Sequence, residues 1–417
     1  MSELLRSGVE RLGAAPSEEE IDAWHAVVTA AHAHDLPAGV PGPGRVETAG
    51  QLRIPASRSR IVRLVVPLPG GGPGYAGVAL LRLFEDDLNR TTAWIGRLAV
   101  RPDHRRRGIG TLLWREIQAV LEREQRQSVS VEVEIGGEGE QFARNRGFAC
   151  GLQLVLYVQR VAEVTEVANE VAGEGAGQAA GEAAEGIADD AAGPELPDGY
   201  RFVEWAGAVP AGYAAAFAGV RNAMADAPMG ELDQEPMRWD AESITAAQSA
   251  YGERGGALFT VVAEAPDGTY AALTEVGRRS PDDVRAQQYE TAVAPAHRGL
   301  GLGRAVKLRM LQLLRAQEPP VREIATHVAD DNGPMRAVNK MLGYRPERSV
   351  GIFQTRVPGE VLQALRGGGD GGGRDGDGRD GGGRDGGGGD GGGRDGDGRD
   401  GGGRDDAGDS PGRPAEW

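Results

Sequence analysis

A short cassette occurs twice in this 417-residue chain, 193 residues apart. The first copy runs Leu98-Ala-Val-Arg-Pro-Asp-His-Arg-Arg-Arg-Gly-Ile-Gly110, and the second Thr291-Ala-Val-Ala-Pro-Ala-His-Arg-Gly-Leu-Gly-Leu-Gly303. In each, a β-branched run stops at a proline, an Arg-x-x-Gly-x-Gly turn follows, and an apolar-periodic stretch then reads as a helix. Such a turn aims several backbone N–H groups at one point beside the positive end of a helix, which suits a phosphate or pyrophosphate. Its glycines let the backbone approach a ligand with no Cβ in the way. The duplication extends further. Asp35-Leu-Pro37 is matched by Asp226-Ala-Pro228 at an offset of 191, and Arg146-Gly-Phe148 by Leu342-Gly-Tyr344 at 196. Offsets this constant over so long a span predict two like domains, not a solenoid with a period of roughly 20–50 residues.

Two other phosphate-binding motifs fail on the residues. A Walker loop needs Gly-Lys-Ser/Thr after its glycines, and the only lysines are Lys307 and Lys340. A dinucleotide fingerprint counted from Gly299 would need glycine at Arg304 and an acid near Pro319. The cassettes instead resemble the GNAT superfamily of N-acetyltransferases, whose signature is Arg/Gln-x-x-Gly-x-Gly/Ala after a strand. Here it reads Arg105-x-x-Gly108-x-Gly110 and Arg298-x-x-Gly301-x-Gly303. The Val-x-Pro lead-in, the later Gly-Phe/Gly-Tyr and the duplication add to the likeness, which covers residues 17–160 and 198–357.

The resemblance implies an α/β fold: two domains, each a mixed, mostly antiparallel sheet flanked by helices. It implies acetyl-CoA as acyl donor, no metal, and a small-molecule amine as acceptor. The pyrophosphate would lie against Arg298, Gly299, Leu300, Gly301, Leu302, Gly303 and Arg304 in the second copy, and against Arg105, Arg106, Arg107, Gly108, Ile109, Gly110 and Thr111 in the first. The thioester and its arm would meet the cassette strand at Ala292 and Val293, or at Leu98 and Val100, with a backbone N–H near Val293 polarising the carbonyl. Asn332 and Asn339 match an Asn pattern along the pantetheine arm, although Asn332 reads equally well as a helix N-cap. A carboxylate on the cassette strand often serves as base in such enzymes. The second copy offers Glu290, with Glu275 in reserve, whereas the first has Arg97, which cannot take a proton at neutral pH. The first half is therefore expected to be degenerate and the second catalytic. A tyrosine acid is missing from both, where Ala143 and Asn339 stand. Tyr344 and His327 are open between packing and the site. The rival expectation is a non-catalytic acyl-CoA-binding or scaffold protein.

The net charge of −16 argues against nonspecific nucleic-acid binding. All but two of the 46 basic residues are arginine, a bias of high-GC, actinobacterial-type genomes. Cys150 is the only cysteine, which rules out an intrachain disulfide and fits a small buried hydrophobe. His32-x-His34 is the nearest approach to a metal spacing and reads as solvated. The start of the chain lacks an apolar signal core, and no run approaches the roughly 18 apolar residues of a membrane span. A cytoplasmic protein is expected, as a monomer with two pseudo-symmetric domains.

Along the chain, residues 1–16 read as a flexible leader, 17–160 as the N-terminal domain, 161–197 as an Ala/Glu/Gly linker, and 198–357 as the C-terminal domain. A short helical end (358–366) and a disordered Gly/Asp/Arg tail (367–417) follow. Ser17-Glu-Glu-Glu20 reads as a capping box. Gly151–Val158 and Gly351–Arg356 read as the strands closing their own domains, and residues 230–256 as a partly helical insertion.

Overall fold

The structure, a computed structural model, describes residues 8–357 apart from 56, 71, 162–193, 223–229, 318 and 331. Residues 1–7 of the leader, most of the linker, the Asp226-Ala-Pro228 repeat, the expected helical end at 358–366 and the tail lie outside the described residues.

The first half supplies strands β1 (Glu10–Arg11), β2 (Ser59–Pro67), β3 (Tyr75–Phe84), β4 (Thr92–Val100), β5 (Ser128–Glu134) and β6 (Ala149–Arg160). Its helices are α1 (Glu18–Asp35), α2 (Arg45–Arg53), α3 (Ile109–Arg123) and α4 (Glu138–Arg144). The second half supplies β7 (Arg201–Ala206), β8 (Ala257–Glu264), β9 (Tyr270–Arg278), β10 (Arg285–Val293), β11 (Glu323–Ala329) and β12 (Arg345–Arg356). Its helices are α5 (Ala214–Asn222), α6 (Ala241–Glu253), α7 (Leu302–Arg315) and α8 (Gly333–Met341). All twelve strands form one mixed sheet in the order β1-β2-β3-β4-β5-β12-β6-β11-β10-β9-β8-β7. Among the described strands, only β4–β5 and β10–β11 run parallel.

The centre of that order corrects the sequence reading. β6 and β12 do not close their own halves. β12 pairs with β5 of the first half from Val350↔Glu134 to Arg356↔Ser128. β6 pairs with β11 of the second half from Glu323↔Arg160 to Ala329↔Leu154. The two exchanged strands then pair with each other. An alternating apolar strand carries no mark of which half it will pair with, because the pattern fixes the buried face and not the neighbour.

α1 starts as its capping box predicts. Ser17 accepts from the Glu20 amide at 3.2 Å, while the Glu20 carboxylate accepts from the Ser17 amide at 2.7 Å. It buries Ile21, Trp24, Val27 and Val28 against one face of the first half's strands. α3 buries Ile109, Leu113, Trp114, Ile117, Val120 and Leu121 on the other face. At roughly 1.5–3 kcal/mol per large side chain, this stripe is what fixes α3, and with it the turn at its start. α7 repeats the arrangement with Leu302, Val306, Met310, Leu311 and Leu314. Two expectations differ. Part of the leader is strand, since Glu10 and Arg11 pair with Val65 and Leu64. The supposed insertion contains α6, which sits in the second half where α2 sits in the first. Sequence reading missed α2 itself, which has a glycine N-cap with no side-chain bond and few apolar residues.

Candidate functional site

Each parallel pair parts midway. β4 and β5 pair from Thr92↔Ser128 to Ile95↔Val131 and no further. β10 and β11 stop at Gln287↔Ala325. A bulge sits at each parting point: Gly96 between the Leu81–Ile95 and Leu80–Arg97 partners, and Tyr289 between Val276–Gln288 and Glu275–Glu290. A bulge turns the strand locally and releases its ladder. Beyond it, β4 and β10 have no ladder partner in the parallel strand, which leaves a cleft running from the bulge to the cassette turn.

The turns themselves are alike. The Arg105 Nε donates to the Val100 carbonyl at 3.2 Å, and the Arg298 Nε to the Val293 carbonyl at 3.4 Å. The motif arginine thus ties the turn to the strand end. Gly108 (φ +87°) and Gly301 (φ +73°) are the left-handed N-caps of α3 and α7, and a Cβ on either would meet nothing within 4 Å. The first bonds of those helices are from the Leu112 amide to Gly108 and from the Ala305 amide to Gly301. The amides before them therefore face the mouth of the turn. This open, amide-lined cradle is what a pyrophosphate such as that of acetyl-CoA would occupy. The last glycines of the motif do other work. A Cβ on Gly110 would strike Phe142 Cε2 at 2.9 Å, so that glycine admits α4; one on Gly303 would face Val293 Cγ2 at 3.5 Å.

The surroundings of the two cradles diverge. Arg106 holds the position of Gly299 in the same left-handed conformation (φ +60° and +78°), and Arg106 and Arg107 are exposed at the first cradle. Arg105 is pinned by Asp35 at 2.6 and 2.7 Å and by Glu138 at 3.1 Å, which raises its already high pKa, Asp35 most. Thr111 accepts from Arg146 at 2.7 Å, and Ile109 is buried. The second cradle presents Leu300 and Gly299 to solvent; Leu302 is buried and Arg304 half-buried.

The clefts diverge more. In the first, Gly96, Arg97, Leu98 and Val100 on β4, and Val131 to Glu134 on β5, are all partly exposed. In the second, β10 from Ala286 to Val293 and β11 from Ile324 to Ala329 are buried throughout. Side chains fill it. Tyr344 donates to Gln288 Oε1 at 2.7 Å, and Gln288 donates to Thr291 and Thr274 at 2.7 and 2.8 Å. Lys307 donates to Asn339 Oδ1 at 2.6 Å, and burial pushes its pKa down to about 7. His327 is buried beside them at the edge of a cavity of about 10 Å³. Asn332 caps α8, accepting from the Met335 amide at 3.1 Å. Asn332 and Asn339 each accept a hydrogen bond within the protein. Tyr344 packs in the core, its hydroxyl raised well above the usual tyrosine range by burial.

Glu290 and Ala292 share the face toward α5 and α6, as their spacing of two predicts. There Arg221 of α5, itself 2 % exposed, clasps Glu290: Nη2 donates to Oε1 at 2.8 Å, and Nε lies 2.8 Å from Oε2. Arg221 Nη1 also lies 3.7 Å from Glu275, the direct cross-strand neighbour of Glu290. Glu275 accepts from Gln248 at 2.8 Å, and burial raises it to about 7. Sequence reading missed Arg221, which lies in a helix with no motif, 69 residues from its partner. Cys150 is half-buried with a thiol raised by burial.

The corresponding space in the first half is open. A chamber of about 90 Å³ lies where α1, α2, β3 and β4 meet the end of α6 and the bulge of β10. Both bulge residues, Gly96 and Tyr289, line it, with Arg97, Arg82, Glu47 and Trp94. Glu47 is 5 % exposed, accepts from Gln51 at 3.1 Å, and pairs with Arg279 of the second half at 3.2 Å. No sequence motif marks the chamber, because its walls come from eight separate stretches of chain.

Residues 70–148 match the family model for the acetyltransferase (GNAT) family. No curated protein sequence matches the chain. Among solved structures, a tandem GNAT protein from the clavulanic acid biosynthesis pathway is 24% identical with a TM-score of 0.66, over 84% of this chain and 98% of that one. A GCN5-related N-acetyltransferase from Sphaerobacter thermophilus is 13% identical with a TM-score of 0.54, over 84% and 95%. The N-myristoyltransferase of Saccharomyces cerevisiae, solved with bound myristoyl-CoA, is 10% identical with a TM-score of 0.50, over 84% and 80%. Residues 70–148 thus carry the match to the acetyltransferase (GNAT) family, and the chain as a whole shares the fold of a tandem GNAT protein.

Proposed function

We propose that the protein transfers an acetyl group from acetyl-CoA to the amine of a small molecule, with residues 17–160 and 198–357 as its two GNAT units. The observation that carries this furthest is the arrangement along β4 of the first half, with the open Gly108 turn at its end, an edge unpaired with β5 beyond Ile95, and the chamber at Gly96 and Arg97. About four strand residues, roughly 13 Å, separate the parting point from the turn. A donor bound by its pyrophosphate at the turn can thus bring its reactive end to the chamber. There the amine nitrogen attacks the thioester carbon, the C–N bond forms, and the C–S bond breaks. The proton leaves the nitrogen and finally resides on the thiolate. Glu47 is the carboxylate in the chamber positioned to accept it first. The two exposed arginines at the first cradle favour phosphate there.

A second reading puts the chemistry in the second half with Glu290 as base. Its support is the carboxylate one residue past the β10 bulge and the glycine at 299, where the first half has arginine. Paired variants separate the two. Acetyl-CoA binding by calorimetry and thiol release with an amine panel are measured for Gly108→Val and Gly301→Val. The first reading expects turnover to vanish in Gly108→Val and to persist in Gly301→Val. The reverse pattern establishes the second, and full turnover in both overturns the cradle assignment.

A further inference from the structure

We propose that the chamber between the two halves seats an acceptor that carries a carboxylate as well as its amine, held chiefly by Arg97 and Arg82. This rests on the acyltransferase reading above and adds the acceptor's class. Four arginines line the chamber: Arg82 and Arg97 from the first half, Arg254 and Arg279 from the second. Glu47 is the single acid in that lining, and Arg279 already answers its charge at 3.2 Å. A chain with a net charge of −16 has thus concentrated positive charge in one walled space. Such a cavity focuses its field and draws anions. Among the described residues no carboxylate pairs with Arg97, whose place past the bulge makes it the chamber's nearest cation to the β4 cleft.

The rest of the lining sets size and shape. Trp24, Val28, Leu52 and Trp94 make an apolar wall suited to a short hydrocarbon. At roughly 10–15 Å³ per water-sized sphere, 90 Å³ admits a solute of on the order of half a dozen or more heavy atoms. A guanidinium binds a carboxylate through two parallel hydrogen bonds, which fixes orientation as well as position. The same field opposes a bare alkylammonium and favours the neutral form of a bound amine, the form that attacks a thioester. A zwitterion enters without net charge, and its carboxylate docks on arginine. The second half could not offer this site, because Arg221 and its two glutamates fill the corresponding volume.

The test uses the full chain. Thiol release from acetyl-CoA is followed with matched pairs: glycine and methylamine, L-alanine and ethylamine, L-ornithine and putrescine. The carboxylated member of at least one pair should exceed its partner at least tenfold in kcat/KM. Arg97→Gln should bring that ratio close to one with the KM for acetyl-CoA unchanged, and Arg97→Lys should retain part of it. Arg82→Gln serves if Arg97→Gln does not fold. Independently of turnover, calorimetry with N-acetylglycine and N-acetyl-L-alanine should detect binding to the wild type that Arg97→Gln weakens at least tenfold. Turnover of the bare amines as fast as the amino acids overturns the acceptor class while leaving the acyltransferase reading intact. Binding of the N-acetyl acids with no turnover of any amine upholds the anion site and counts against the acyltransferase reading. Neither binding nor turnover of any carboxylated probe overturns the inference.

Discussion

Arg97 and Glu290 occupy the same place in the two halves, one residue past the bulge at which the parallel strands part. Glu290 faces Glu275 across the ladder and is clasped by Arg221, while Arg97 faces Leu80 and an open chamber. One copy of the duplicated site has become a packed ion cluster and the other a cavity.

The cluster gives Glu290→Gln a specific signature. Removing one charge from a buried pair typically costs about 3–5 kcal/mol. Glu275, 3.7 Å from Arg221, offsets part of this. We expect a loss of a few kcal/mol in urea unfolding, with acetyl-CoA affinity within twofold of wild type. A drop in turnover of ~10²–10⁴-fold at unchanged stability would instead make Glu290 the base.

Lys307 makes stability depend on pH. Burial lowers its pKa from 10.5 to about 7 in the folded state. The unfolded chain therefore binds the extra proton between these values. Its contribution is most favourable above the unfolded pKa and is lost as pH falls through about 10 toward 7. Replacing Lys307 with Met should raise the melting temperature at pH 7 and flatten the rise in stability between pH 7 and 9.5. An unchanged slope in thermal melts across that range would count against a neutral buried amine.

The strand exchange makes the halves interdependent. Without β12 and β11, the first half leaves β5 with a bare edge and β6 with no partner. We expect residues 1–161 and 194–357 to be insoluble or unfolded when made separately. Co-expressed, they should co-purify as a one-to-one complex with the intact protein's circular dichroism. Two independently folded, non-associating fragments would refute the exchanged pairing.

The cassette glycines should differ sharply in tolerance. Gly299 has φ +78°, where an L-residue costs on the order of 1–2 kcal/mol, so Gly299→Ala should destabilise by about that much. Gly303→Ala should be nearly neutral, since its Cβ meets only Val293 Cγ2 at 3.5 Å. Equal losses in denaturant titrations would show that the turn adopts another geometry.

The sequence alone determined what is local. The capping box at Ser17, the apolar stripe of the helix from Ile109, the alternating strands and the glycine turns depend on residues within a few positions of one another, and periodicity and backbone chemistry express them directly. The duplication itself revealed two like halves. It also exposed the charge reversal at 97 and 290, though it could not say which half had kept an open site. Tertiary structure decided that. The partner of Glu290 is Arg221, 69 residues away on a helix with no motif, and only packing brings them to 2.8 Å. The exchange of β6 and β12 was equally hidden, because an apolar alternation specifies a buried face and leaves the neighbouring strand to whichever pairing buries most. The arginine-lined chamber is a property of eight stretches of chain folded to one point, and no single stretch carries its signature.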